Sequence, residues 1–344
     1  RPDNEDEPEW RTHRILFWPK TASPLIFVAS RDPDNAAVFR RIRVLENTTD
    51  ADSAPVNLEA DGGGRLIGPY FGRPLFAENF SAPEALDTWS GRTLDDWSTF
   101  YLGARRLVTY LNYAGYNGAM MTVAVDGSAI YPSSLLRPTP RYDTGTFFAT
   151  GQDPQRKDVL EVVFRLFDRN QLRLVPTVHF AAPLPALEAM LRDASVDATG
   201  MRWIGADGRS WLEVHCANQG AAAYYNLLDP RVQEAMRDVV RELVARYEQH
   251  PSLAGLAVAL SPVGYAQLPG PEWGFDDVTI ARFQRDTGIE VPGRGPNRFA
   301  MRAEFLLGER RSQWTSWRAA IVAQFHRSLV ELLPDGSPLY VVAC

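Results

Sequence analysis

Between Gly118 and Val125 the chain reads Gly-Ala-Met-Met-Thr-Val-Ala-Val, without a charge and rich in small and β-branched side chains. Neither face of such a strand suits water, so it predicts a parallel strand covered by helices on both sides. A helix over about Leu94 to Tyr113 leads into it. A second helix, Arg156 to Asp168, sets Val159, Leu160, Val163, Phe164 and Phe167 at i, i+3 and i+4 spacing, one buried stripe, and feeds a strand over Leu172 to Phe180. The next strand is expected over Ala221 to Leu227. Asp229-Pro230 then supplies a capped start, with Pro in the first turn, for a helix over Arg231 to Gln249. A fourth strand covers Leu253 to Leu260, a helix-rich insert ends in Ser312 to Leu333, and Leu339 to Val342 reads as a fifth strand. Trp211-Leu212-Glu213-Val214-His215 alternates polar and apolar positions like an exposed hairpin strand, and Glu242 with Arg246 reads as a solvated i, i+4 ion pair.

Repeated β/α units imply right-handed crossovers and a parallel sheet. No phosphate-binding glycine fingerprint follows the first strand, because Asp126-Gly127-Ser128 offers one glycine only. The expected fold is therefore α/β, a (β/α)8 TIM-barrel-like domain over residues 65–344. Five strands leave it incomplete at its C-terminal side, so a longer polypeptide is expected. Residues 1–64 carry short apolar runs split by Pro19, Pro24 and Asp32-Pro33-Asp34-Asn35, the punctuation of a small β-rich, jelly-roll-like module. The polar stretch Asn47 to Gly64 marks the boundary.

Charge and composition narrow the function. A formal net charge of -6 over 344 residues, with arginines scattered among acids, lacks the basic footprint of a nucleic-acid binder. No apolar run approaches the length of a membrane span. Cys216 and Cys344 stand apart from any Cys/His cluster and read as free thiols, so neither a zinc site nor another metal or cofactor is expected. Nine tryptophans suit ligand stacking as well as core packing.

The order Gly115-Tyr116-Asn117-Gly118, then Asp126-Gly127-Ser128-Ala129-Ile130-Tyr131-Pro132-Ser133, resembles the family-10-like group of glycosyl hydrolase-like proteins. The resemblance continues through Asp158-Val159-Leu160, Leu172 to Phe180, Tyr225 to Val232 and Thr315-Ser316-Trp317-Arg318, covering about residues 105–344. It implies a barrel, a carbohydrate partner and hydrolysis of glycosidic bonds, with an extracellular or periplasmic place of action. One departure stands out. The family pattern ends the fourth strand in Asp-Gly-Ile-x-x-Asp-Asp-Tyr, where this chain has Ala254 to Pro262 and no acid. A non-catalytic glycan-binding or scaffold protein on a degenerate barrel is the alternative.

Glycoside hydrolysis calls for two carboxyl groups across the scissile bond, and barrels keep them at the carboxyl ends of strands. Asp126, after the first strand, is the first candidate; its bland role is that of an Asp-Gly turn former. Glu272, in the Pro/Gly-rich loop after the fourth strand, is the second. His179 at a strand end can bind a sugar hydroxyl or move a proton, and Asn226 offers donor and acceptor together. Tyr131, Tyr265 and Trp273 are expected as stacking platforms. Asp276 and Asp277 precede Val278-Thr279-Ile280; at least one is expected to cap a helix, and Asp277 is also a substrate-binding candidate. The sugar, its linkage and the oligomeric state are not legible.

Overall fold

A computed structural model describes residues 12, 40–44, 65–72, 80, 97–125, 127–138, 158–215 and 225–343. The β-rich module expected over 1–64 falls almost wholly outside the described residues, as do Asp126, Cys216 and Cys344. In chain order the elements are β1 (Tyr70–Phe71), α1 (Trp97–Ala114), β2 (Gly118–Val125), β3 (Ser128–Ala129), β4 (Arg137–Pro138), α2 (Val159–Arg169), β5 (Arg173–His179) and α3 (Pro185–Arg192). There follow a 3-10 turn (Thr199–Met201), α4 (Trp211–His215), α5 (Pro230–Tyr247), β6 (Leu256–Leu260), α6 (Asp277–Thr287), α7 (Arg298–Leu307), α8 (Arg311–Val330) and β7 (Leu339–Ala343).

The sheet runs β4-β3-β2-β5-β6-β7, with β1 also on β2. Every pairing is parallel except the short return of β3 on the end of β2. β2 and β5 are buried nearly throughout, as the uncharged run of β2 and the Leu174–Val178 centre of β5 require, and helices cover the sheet to give an α/β half-barrel. The strands sit tightly: a Cβ at Gly118 would lie 2.2 Å from the Arg173 carbonyl oxygen, so only glycine fits at that crossing.

Two strand expectations need correction. Of the strand expected over 221–227 only Tyr225 to Leu227 are described, and these form a buried turn before α5, while β5 pairs directly with β6, His179 beside Ala259. Trp211–His215 is a short helix, not a hairpin strand. Ser210 and Glu213 form a capping box: Ser210 N and Oγ donate to Glu213 Oε2 at 2.6 and 2.7 Å, and Glu213 N donates back to Ser210 Oγ at 3.3 Å.

The other helices start for similar reasons. Asp158 accepts from Glu161 N to cap α2, Asp229 from Arg231 N to cap α5 with Pro230 in its first turn, and Asp276 from Thr279 N to cap α6. Away from the rim, His250 ties α2 to the turn before β6. Its Nδ1 meets Asp168 Oδ2 at 2.6 Å, its Nε2 meets Glu161 Oε2 at 3.0 Å, and its ring stacks on Phe164 at 4.9 Å. Burial pushes the Asp168 carboxyl up, but hydrogen bonds from Ser252 and His250 outweigh it and hold the group below the usual aspartate range.

Candidate functional site at the carboxyl rim of the sheet

In a parallel sheet the strand ends that share one edge collect side chains far apart in sequence. Ala124 pairs with Val178 and His179 with Ala259, so Val125, His179 and the segment after Leu260 arrive together. His179 Nε2 lies 2.7 Å from Ser261 Oγ, a bond spanning 82 positions. The Ser261 carbonyl is held in turn by Gly264 N at 2.9 Å and Gln267 Nε2 at 2.6 Å.

Beside this pair opens a narrow, open-mouthed hollow. Val125, Gly127 and Leu136 form one wall; Val178, His179, Phe180 and Ala182 form the other; Val239 of α5 and Tyr265 contribute as well. Asp126 lies outside the described residues, but both its chain neighbours line the hollow. Tyr265 closes one side through its backbone N to Phe180 O at 2.8 Å and its hydroxyl to Ala182 O at 2.9 Å, edge-on to Tyr225.

Of the remaining sequence candidates, none described lines the hollow. Tyr131 is 1% exposed and packs edge-on against Tyr247. Asn226 is wholly buried and ties three segments: Nδ2 donates to Gly200 O and Thr279 Oγ1 at 2.9 and 2.8 Å, and Oδ1 accepts from Leu228 N at 3.0 Å. Asp277 is paired with Arg298 at 3.1 Å and Arg302 at 2.6 Å, which outweigh its partial burial and keep its carboxyl below the usual range. Trp273 is buried, 4.8 Å edge-on from Trp211, which itself stacks on His215 at 4.1 Å.

Glu272 is exposed, with its carboxylate folded over Gly270. Its loop is pinned from α8: Trp314 Nε1 donates to Pro271 O and Arg318 Nη2 to Pro269 O, both at 2.9 Å. Arg318 is buried between the indoles of Trp203 and Trp314, 5.6 and 5.4 Å from their centroids. Burial brings its pKa down to about 10, and the Glu272 charge offsets part of that fall.

Three side chains matter more than the sequence suggests. Ser261 holds His179, as above. Asp276, 3% exposed, has one carboxyl oxygen without a partner among the described residues; burial, with the nearby Asp229 charge adding to it, pushes its pKa up to about 7. Glu242 does not pair with Arg246. It accepts from Ser133 Oγ and from Ser134 N and Oγ, the latter two at 2.6 Å, while Arg246 donates to Pro132 O at 2.8 Å. Together they clamp the Pro132–Ser134 turn, whose continuation returns to the hollow through Arg137 N bonding Gly127 O at 3.2 Å. Glu242→Ala strips that turn of its acceptors and should lower stability by about 1–3 kcal/mol. Urea unfolding checks this, and an unchanged midpoint would show that the clamp contributes nothing.

A parallel α/β half-barrel with a hollow at its carboxyl edge defines the class of protein. The chain belongs to the glycosyl hydrolase-like 10 family, whose model matches residues 103–340. No curated protein matches it. Among solved structures it is similar to alpha-L-fucosidase isoenzyme 2 from Paenibacillus thiaminolyticus, at 11% identity and a TM-score of 0.44, covering 80% of this chain and 32% of that one. It is also similar to an alpha-L-fucosidase GH29 from Bacteroides thetaiotaomicron, at 12% identity and a TM-score of 0.29, covering 79% and 44%. The chain thus spans less than half the length of these structures. Among the described residues no helix is long and apolar enough to cross a membrane, and no group of three or more His, Cys, Asp or Glu side chains could hold a metal ion.

Proposed function

We propose that this protein is a glycoside hydrolase acting on an oligosaccharide or polysaccharide at the rim hollow. Asp126 supplies one carboxyl group, Glu272 the other, and His179, held by Ser261, binds a sugar hydroxyl. The observation that carries the reading is the meeting of Val125, Gly127 and His179 around one hollow in a chain of the glycosyl hydrolase-like 10 family. Family membership alone would speak for the fold rather than the chemistry; the hollow at the strand ends is what supports the hydrolytic reading beyond it. A polymeric substrate too large to cross a membrane fits an extracellular or periplasmic place of action.

A second reading rests on Leu260-Ser261-Pro262. No acid stands at the end of β6, and Ser261 is engaged with His179. Glycan binding without cleavage would follow if the rim lacked its second carboxylate. Incubation with a broad glycan panel separates the two: hydrolysis releases reducing ends, whereas the binding protein shifts ligand signals and releases none.

A further inference from the structure

The chemistry of the hollow says more about its ligand than the strand ends alone. Ala124, Val125, Val178, Phe180, Leu184 and Val239 give it an apolar lining, and the polar side chains described on it are engaged. Ser128 Oγ donates to Val125 O at 3.0 Å, Tyr265 OH donates to Ala182 O at 2.9 Å, and His179 Nε2 meets Ser261 at 2.7 Å. Clear of the walls, it has room for about one water-sized group. A water there would forgo most of its usual three or so hydrogen bonds, and a sugar hydroxyl out of reach of His179 and Asp126 would lose solvation with little return. A methyl group loses nothing and leaves water.

We infer that the hollow seats a methyl substituent of the bound sugar and discriminates against the hydroxylated counterpart. The inference rests on the carbohydrate reading of this same site. Two sources carry that chemistry: the C6 methyl of a 6-deoxyhexose and the methyl of an acetamido group. Ala182 is the gatepost. It is half-buried on the lining, and its Cβ is 3.4 Å from where a Cβ on Gly127 would fall, so a larger side chain at 182 would take up space between these two lining residues.

Matched 4-nitrophenyl glycosides in both anomeric forms test this: 6-deoxygalactoside against galactoside, and N-acetylglucosaminide against N-glycolylglucosaminide. The methyl-bearing member of one pair should have a kcat/KM about tenfold or more above its partner, the usual worth of a methyl-sized group in an apolar pocket. The pair that responds identifies the source. Ala182→Leu should bring that ratio toward one at an unchanged melting temperature. Ratios at or below one in both pairs overturn the inference while leaving hydrolysis intact, and a preference that survives Ala182→Leu places the methyl elsewhere and overturns it too. If none of the four is cleaved, the glycan panel still decides the hydrolytic reading on its own, and titration of the same four compounds followed by ligand-observed NMR decides the inference. Tighter binding of one methyl-bearing member supports it; equal affinity within both pairs overturns it.

Discussion

Asp126→Asn should lower the hydrolysis of a susceptible glycan by two to four orders of magnitude while leaving binding largely intact. Asparagine keeps the shape and can still form the turn, but it cannot give or take the proton that glycosidic cleavage needs, a step typically worth about 10²–10⁴-fold. Glu272→Gln should behave alike if it is the second acid. The two carboxyl groups would then stand ~5–5.5 Å apart for a retaining reaction or ~6.5–9.5 Å for an inverting one. The pinning of the Pro269–Pro271 turn by Trp314 and Arg318 gives Glu272 a fixed base from which to act. Rates measured on a substrate found by the panel check both variants. Wild-type rates in both would remove these acids from the mechanism, whereas a loss confined to Asp126→Asn would retire Glu272 alone.

Asp276→Asn should remove a pH dependence of stability. In the folded chain the Asp276 carboxyl is pushed from 3.8 to about 7, chiefly by burial, so between those values the native state holds a proton that the unfolded state has released. Stability therefore falls as pH rises through that window. At about 1.4 kcal/mol per pKa unit the whole effect reaches roughly 4 kcal/mol above neutrality. Asparagine keeps the acceptor for Thr279 N and cannot ionise, so the variant should be the more stable protein at pH 8 and close to the parent at pH 4. His326, whose pKa burial lowers, pulls the other way, because its stabilising neutral form returns as pH rises. Subtracting variant from parent isolates Asp276. Urea unfolding at pH 5 and 8 is the measurement, and parallel pH slopes for the two proteins would rule the account out.

Much of the fold is legible because burial on both faces leaves a plain mark. The apolar runs that become β2, β5 and β6 and the stripe Val159, Leu160, Val163, Phe164 and Phe167 appear where expected, within a few residues. The misreadings have identifiable causes. Tyr225 and Leu227 are buried without being extended; Asn226 folds the segment into a turn by bonding Gly200, Thr279 and Leu228. At Trp211–His215 the alternation was the weaker signal and the Ser210-x-x-Glu213 box the stronger one. The site was legible only at its strand ends. His179 could be placed on the rim, but nothing local announces a partner 82 residues away, nor that Glu242 serves a distant serine turn rather than its neighbour Arg246. Burial of a helix cap such as Asp276 depends on what packs over it, which spacing does not carry.

The direct pairing of β5 with β6 bears on how the chain assembles. Everything from Phe180 to Gly255 is looped out between two adjacent strands, so their seam can zip only after a long excursion has been brought back. The entropy of closing such a loop grows only slowly, by about 0.6 kcal/mol for each doubling of length, yet it is spent before the seam returns anything. Contacts between such distant partners slow folding. The His179–Ser261 corner is thus expected to form late, and α2 with its flanking strands β2 and β5 to be able to form without it.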